Sequence, residues 1–414
     1  MEPQQNGIAA DKELPQWLDN VTLEKAIRQQ IGDYKNILEI KTENSSKEGE
    51  NYSSLMMRIK ADVEMEDGSK KTASFILKTQ HSNEMMARIL NMLRLFPKEE
   101  EIYHKILPKF EQLYKEAGKS VQFAPNSYTF DRDIGVDYVL LEDLHVKKFK
   151  NANRLEGLDM DHVKEVLIKM AEFHAASACY VEHYGMFGED FTVGIFSEKN
   201  KELLKEFNAS AAFLSQLKKW KNCQQYYEKL ADSDEFLVDR LLEDQKVNPR
   251  EFNVLNHGDC WSNNIMFQYD AFGKIKNTLF VDFQVGKYGS PANDLYYFIL
   301  SSAKKDIKLT QFDYMIRFYY EHLVENLKLL QYHRPLPKLK NIHIALMNNG
   351  LAAYMVVSKV LPVVILEKTD QANLENYIHD ESKMKTAMFS NHKYVQAMSE
   401  ILPWLDNRGL LDWK

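Results

Sequence analysis

His257-Gly-Asp-Cys-Trp-Ser-Asn-Asn264-Ile-Met-Phe267 and, after a turn at Gly273, Leu279-Phe-Val-Asp282-Phe-Gln284 form the stretch on which the reading of this chain turns. Val254-Leu-Asn256 leads in, Asn264 to Phe267 and Leu279 to Phe283 read as strands, and the whole is a short β insert among helical segments. Phosphoryl transfer asks little covalent chemistry of a protein. It asks for a positioned acceptor oxygen, metal on the phosphates and a cation near the negative charge. Asp259 can orient an acceptor hydroxyl and take its proton. Asn264 follows five residues later, the spacing that lets one loop serve both acceptor and metal. Asp282 ends an apolar strand and can offer a carboxylate to a hard cation that prefers oxygen ligands. Each has a plain reading alone, as turn residue, loop cap or solvated strand end. In this order on one hairpin, they make a reacting site.

Working outward toward the N-terminus, Leu55 to Val63 alternates with period two, Asp67-Gly68 marks a turn, and Thr72 to Thr79 follows as a second strand. Further strands are expected at Tyr128 to Phe130 and Tyr138 to Leu141, with Glu142-Asp-Leu144 ending the run. An amphipathic helix is expected from Gln16 to Gln30, and helix from Ser82 to about Ala117. Pro97 and Glu99 to Glu101 suit the opening turn of a segment there. Lys78 closes the strand Phe75-Ile-Leu, where it can reach phosphates if a carboxylate holds it. Glu99 is the chosen partner, with Glu100 and Glu101 as competitors. Lys47-Glu-Gly49-Glu-Asn-Tyr-Ser-Ser54 is the candidate phosphate loop, although it holds one glycine and no GxGxxG.

Working outward the other way, Asp159 is an expected N-cap. Val163, Val166, Leu167, Met170 and Ala171 share one helix face, and His174 reads there as a hydrogen-bonded core histidine. Tyr296-Tyr-Phe298 and Phe318-Tyr-Tyr320 read mainly as helix core, with lining of an acceptor pocket as their other use. Leu351 to Leu366 reads as a buried helix broken by Pro362. The layout is a flexible terminus (1–13), a β-rich lobe (14–144) and a larger helical lobe (145–414).

Composition bounds the function. The 414 residues are 44% hydrophobic and 27% charged, with net charge −7 and no basic stripe, which argues against a nucleic-acid partner. Three cysteines, none in a CxxC pair, indicate neither zinc site nor disulfide framework, and Cys260 reads as structural. No signal peptide or membrane span is read, so a cytoplasmic setting is expected.

The motifs resemble those of the insect ecdysteroid kinase-like family, also described as choline-kinase-like domains and related to aminoglycoside phosphotransferases. The resemblance runs from about Gly49 to Ser302. Its motifs are Gly49-Glu-Asn-Tyr-Ser53, the Lys78 strand, Phe96-x-x-Glu99-x-x-x-Tyr103 with Leu107-Pro108, and Leu141-Glu-Asp-Leu144. Phe173-His-Ala-Ala176, His257-Gly-Asp-x-Trp-x-Asn-Asn264, Val281-Asp-Phe-Gln284 and Asp294-Leu295 leading to Ser301-Ser302 complete it.

The resemblance implies an α+β, protein-kinase-like two-lobed fold with ATP between the lobes. It implies Asp259 as catalytic base, Asn264 and Asp282 as Mg²⁺ ligands, and Lys78 with Glu99 as the phosphate-binding ion pair. It also implies Gly49, Asn51, Tyr52 and Ser53 as further ATP contacts, and the backbone from Glu142 to Leu144 on the adenine edge. The acceptor it implies is a hydroxyl of an ecdysteroid or similar apolar alcohol. A choline-, ethanolamine- or xenobiotic-type kinase and a non-catalytic ligand binder are the alternatives. His-Gly-Asp stands where protein kinases carry His-Arg-Asp, and Asp-Phe-Gln where they carry Asp-Phe-Gly. Both departures favour a small-molecule acceptor without an activation-loop switch.

Overall fold

The computed structural model describes residues 17–44, 55–79, 90–132, 134–207, 210–221, 223–367 and 381–413. The expected phosphate loop, with Gly49, Asn51, Tyr52 and Ser53, lies outside the described residues, as does the terminus 1–13. The chain divides into two compact units, residues 1–92 with 125–147, and residues 93–124 with 148–414.

The first unit is built on a five-stranded antiparallel sheet, in the order β1-β2-β3-β5-β4. Its strands are β1 (Asn36–Asn44), β2 (Leu55–Glu64), β3 (Lys70–Thr79), β4 (Ser127–Tyr128) and β5 (Tyr138–Glu142). The hairpin forms where the sequence places it. Gly68 takes φ +78° at the turn, and Asp67 Oδ1 accepts from Ser69 N at 2.9 Å. From there β2 and β3 pair without a slip, Glu64 opposite Lys70 through Leu55 opposite Thr79. Ile59, Ala61 and Val63 are fully buried in a core with Phe75 and Leu77 of β3. Helix α1 (Asn20–Ile31) adds Leu23, Ala26 and Ile27, and each Leu or Ile so covered stabilises by about 1.5–3 kcal/mol. The helix starts later than the expected Gln16, because the side chain of Asp19 caps Thr22 N at 2.8 Å. Gln30 then fastens it to the sheet by exchanging hydrogen bonds with the Ser74 backbone. Strand β1 was not anticipated.

The second unit is mainly helical. Residues 93–124, expected with the β-rich lobe, belong here for a packing reason. Helix α2 (Leu95–Glu101), a π-helical turn (Ile102–Ile106) and helix α3 (Leu107–Glu116) follow one another directly. The Phe110 ring of α3 packs edge-on against Phe123 and Phe173, and Tyr114 Oη donates to the Glu172 carbonyl at 2.9 Å. Phe173 and Glu172 lie on helix α4 (Met160–Tyr184), which Asp159 caps through His162 N as expected. Val163, Val166, Leu167, Met170 and Ala171 are all buried, the face the periodicity predicts. Later helices are α5 (Ala292–Ser302) and α6 (Phe312–Leu329).

The β insert is two short antiparallel pairs rather than one hairpin. One pair joins β6 (Val254–Asn256) with β9 (Lys287–Gly289), the other β7 (Ile265–Tyr269) with β8 (Ile275–Phe280). Pro362 does not break its helix. The run 350–365 continues through a π-helical stretch, Val356–Val360, directly before the proline, where the i→i−4 ladder would lack a donor. Among the described residues no single helix is long and apolar enough to cross a membrane. The fold is α+β and protein-kinase-like, with a small sheet unit and a larger helical one.

Candidate active site

The centre of the site is the connection between β6 and β7. Gly258 sits at φ +82°, and a Cβ there would overlap the Val285 carbonyl, so only glycine fits. This gives His-Gly-Asp a local reason: the middle residue must let two backbones touch. His257 is buried between Phe280 and Phe283. Its Nδ1 accepts from Asp259 N at 3.2 Å, so Nε2 carries the proton and donates to the Val281 carbonyl at 3.0 Å. Burial lowers its pKa and keeps the ring neutral in that tautomer. The ring thereby ties the Asp259 loop to the strand end bearing Asp282.

Asp259 and Asn264 meet directly. Asn264 Nδ2 donates to Asp259 Oδ2 at 2.8 Å and to the Asp259 carbonyl at 2.9 Å. With its nitrogen spent on Asp259, the amide has its oxygen to offer elsewhere. Asn264 is also joined to the Asp282 strand, since Val281 N donates to the Asn264 carbonyl at 3.0 Å. Asp282 itself has φ +68°, a left-handed conformation uncommon outside glycine, and such strain concentrates at functional sites. Its backbone N–H donates to Tyr103 Oη at 3.3 Å, and the Tyr103 ring packs edge-on against Phe283. That contact explains why Tyr103 accompanies Glu99 four residues earlier.

The Asn264 amide oxygen and the half-buried Asp282 carboxylate are oxygen donors of the kind a hard cation such as Mg²⁺ takes.

The loop hangs from one buried carboxylate that residue-by-residue reading did not single out. Asp294, in the first turn of α5, accepts through Oδ2 from His257 N at 2.7 Å and through Oδ1 from Gly258 N at 2.9 Å. His174 Nε2 donates to the same Oδ2 at 3.1 Å, and Tyr319 Oη of α6 lies 2.7 Å from Nδ1. Burial alone would raise the Asp294 pKa. The hydrogen bond and charge from His174, with the Gly258 N–H, hold it below the ordinary carboxylate value. His174 is thus the hydrogen-bonded core histidine expected, and its partner is the loop's anchor. A lone acid in an apolar helix, Ala292-Asn-Asp-Leu-Tyr-Tyr-Phe298, was the available signal. Ser302 Oγ accepts from Ser262 N at 3.0 Å, and Asn151 Nδ2 donates to the Asn263 carbonyl at 2.7 Å. Asn151 carried no legible sequence signal.

The aromatic triplet on α5 divides. Phe298 is core, and Tyr296 donates to the Leu346 carbonyl at 2.9 Å. Tyr297 Oη donates to Asp259 Oδ1 at 2.5 Å. Its burial, and then the Asp259 charge, push its phenol well above the usual range, so it remains a donor. Cys260 is fully buried with its thiol likewise raised by burial, in keeping with a structural role.

The remaining expected residues lie as follows. Lys78 belongs to the first unit, buried on β3 opposite Val139 of β5. Glu99 belongs to the second unit, buried on α2, where Glu100 is exposed and Glu101 half-buried. Burial therefore separates Glu99 from its two competitors. Glu142 ends β5, with its N–H donated to the Asn126 carbonyl at 2.8 Å and its carboxylate paired with Lys147 at 2.5 Å. Asp143 N donates to the Ser74 carbonyl at 3.2 Å, and Leu144 is buried in the turn that follows.

A search of curated proteins returns no match. The model of the ecdysteroid kinase-like family matches residues 48–332, more than half of the chain, and the protein belongs to that family.

Proposed function

We propose that this protein transfers the γ-phosphoryl group of ATP to a hydroxyl of an ecdysteroid or a similarly apolar alcohol. The observation that carries the reaction type is the Asp259–Asn264 contact on a loop tethered to Asp282. The family supports a small-molecule kinase, and the apolar acceptor goes one step beyond it.

In this reading Asp259 orients the acceptor hydroxyl and takes its proton as the oxygen attacks the γ-phosphorus, whose bond to the bridging oxygen breaks and releases ADP. Asn264 Oδ1 and the Asp282 carboxylate would hold Mg²⁺, which would supply positive charge against the phosphate oxygens. Lys78 is assigned to the phosphate oxygens, and Glu99 is assigned to the same phosphate-binding role. On the adenine edge the N–H groups of Glu142 and Asp143 are already donated to Asn126 and Ser74. The Glu142 carbonyl and the Leu144 N–H are therefore the groups assigned to the base.

The test is an acceptor screen. Purified protein is offered 20-hydroxyecdysone, choline and an aminoglycoside with Mg·ATP, and products are read by mass for one added phosphoryl group. Phosphorylation of the steroid, lost in Asp259→Asn, is the expected result. Phosphate on choline alone overturns the steroid assignment. Equal and negligible turnover by wild type and Asp259→Asn with every acceptor overturns the enzyme.

A further inference from the structure

A carboxylate is not fixed by the backbone that bears it. The terminal torsion of aspartate is broad and two-fold, so a single hydrogen bond leaves the group able to swing. Each Asp259 oxygen receives such a bond: Asn264 Nδ2 on Oδ2 at 2.8 Å and Tyr297 Oη on Oδ1 at 2.5 Å. Two donors on opposite oxygens define the plane of the group.

Tyr297 lies three residues after Asp294, so the two share one face of α5. Asp294 holds the backbone of His257 and Gly258, and Tyr297 holds the side chain of the next residue. One helix face therefore fixes both the position of the loop and the rotation of its carboxylate.

We infer that Tyr297 is a positioning residue for phosphoryl transfer, locking the Asp259 carboxylate in the single orientation that meets the acceptor hydroxyl. This rests on Asp259 being the base of the proposed reaction. The hydroxyl is the working part, because phenylalanine keeps the ring and its packing. Removing the hydroxyl takes that hydrogen bond from Oδ1 and loosens the hold on the carboxylate plane.

The experiment compares wild type, Tyr297→Phe, Asp259→Asn and the double variant. Crystal structures of the nucleotide-free proteins come first. In Tyr297→Phe, Asp259 should populate a second rotamer. Next, kcat and KM for ATP are measured with the acceptor the screen identifies, or with water as acceptor. The variant should lose about 10- to 100-fold in kcat, the loss expected for one hydrogen bond to a charged group. KM for ATP and calorimetric affinity for Mg·AMP-PNP should stay within about twofold. In the Asp259→Asn background the phenylalanine change should add no further loss.

A single unchanged Asp259 rotamer in Tyr297→Phe overturns the inference. So does an equal rate loss with and without Asp259, or a fall in nucleotide affinity matching the fall in rate. If wild type transfers phosphate to nothing, the enzyme reading fails on its own. The rotamer comparison then still decides whether Tyr297 sets the carboxylate.

Discussion

The β2–β3 ladder of the first unit and the short strand pairs of the second are both antiparallel, but they use pairing differently. The long ladder runs in unbroken register over ten pairs and exists to cover a core. The pair β6–β9 runs over three, and its strands mainly deliver chain to a loop that side chains then hold. In the first case backbone hydrogen bonds do the ordering. In the second, buried polar groups do: Asp294 holds two N–H groups, His257 bridges to Val281, and Asn264 grips Asp259. Such networks order a site well and fail sharply when one member is removed.

Four changes would break or sharpen that comparison. The largest effect should come from Asp259→Asn, with phosphoryl transfer to the identified acceptor falling about 10³-fold. Its melting temperature should hardly move, since the asparagine can still be gripped. Retained transfer would show that the loop is ordered for something other than base catalysis. Gly258→Ala should destabilise by about 3 kcal/mol, because the new Cβ meets the Val285 carbonyl at a left-handed φ. Denaturant unfolding checks this, and a neutral result would mean that the loop has slack.

The third change probes a comparable polar network in the first unit. Asp143 is buried, and its carboxylate accepts from Arg58 Nε at 2.8 Å and Ser74 Oγ at 2.9 Å. Burial would raise its pKa, but hydrogen bonds from His145, Arg58 and Ser74 and the charge of Arg58 hold it below the carboxylate range. Its folded value being depressed, the stabilisation is full above roughly pH 4 and is lost as pH falls through the folded value. Arg58→Met should therefore cost about 2 kcal/mol at neutral pH, with a deficit that shrinks in acid. Unfolding measured at two pH values checks the sign; a deficit growing toward acid contradicts it. The smallest effect belongs to Phe272→Ser. At the tip of the β7–β8 hairpin this ring is 97% exposed, so stability should change by less than about 0.5 kcal/mol.

What the sequence made legible follows from the same contrast. The β2–β3 hairpin could be read because its alternation and its Asp67-Gly68 turn are local signals. Strand β1 escaped because a register shift between Ile37 and Glu39 breaks the alternation on a strand exposed along much of its length. Residues 93–124 were placed with the wrong unit because Phe110 and Tyr114 find their partners on a helix about sixty residues further on. At the candidate site, the meeting of Asp259 with Asn264 was readable by spacing, because one loop carries both. Asp294 and Tyr297 were not, because a buried acid and a tyrosine on an apolar helix look like core until their partners are known.

Tyr319, His174, Asp294 and Gly258 stand in a row of contacts reaching from α6 to the reacting loop. Loss-of-activity variants gathered at random should therefore include changes on α6, and their carriers should fold and bind nucleotide while turning over slowly. A ligand or lesion that nudges α6 would have a mechanical route to the His257–Asp259 loop without ever touching it.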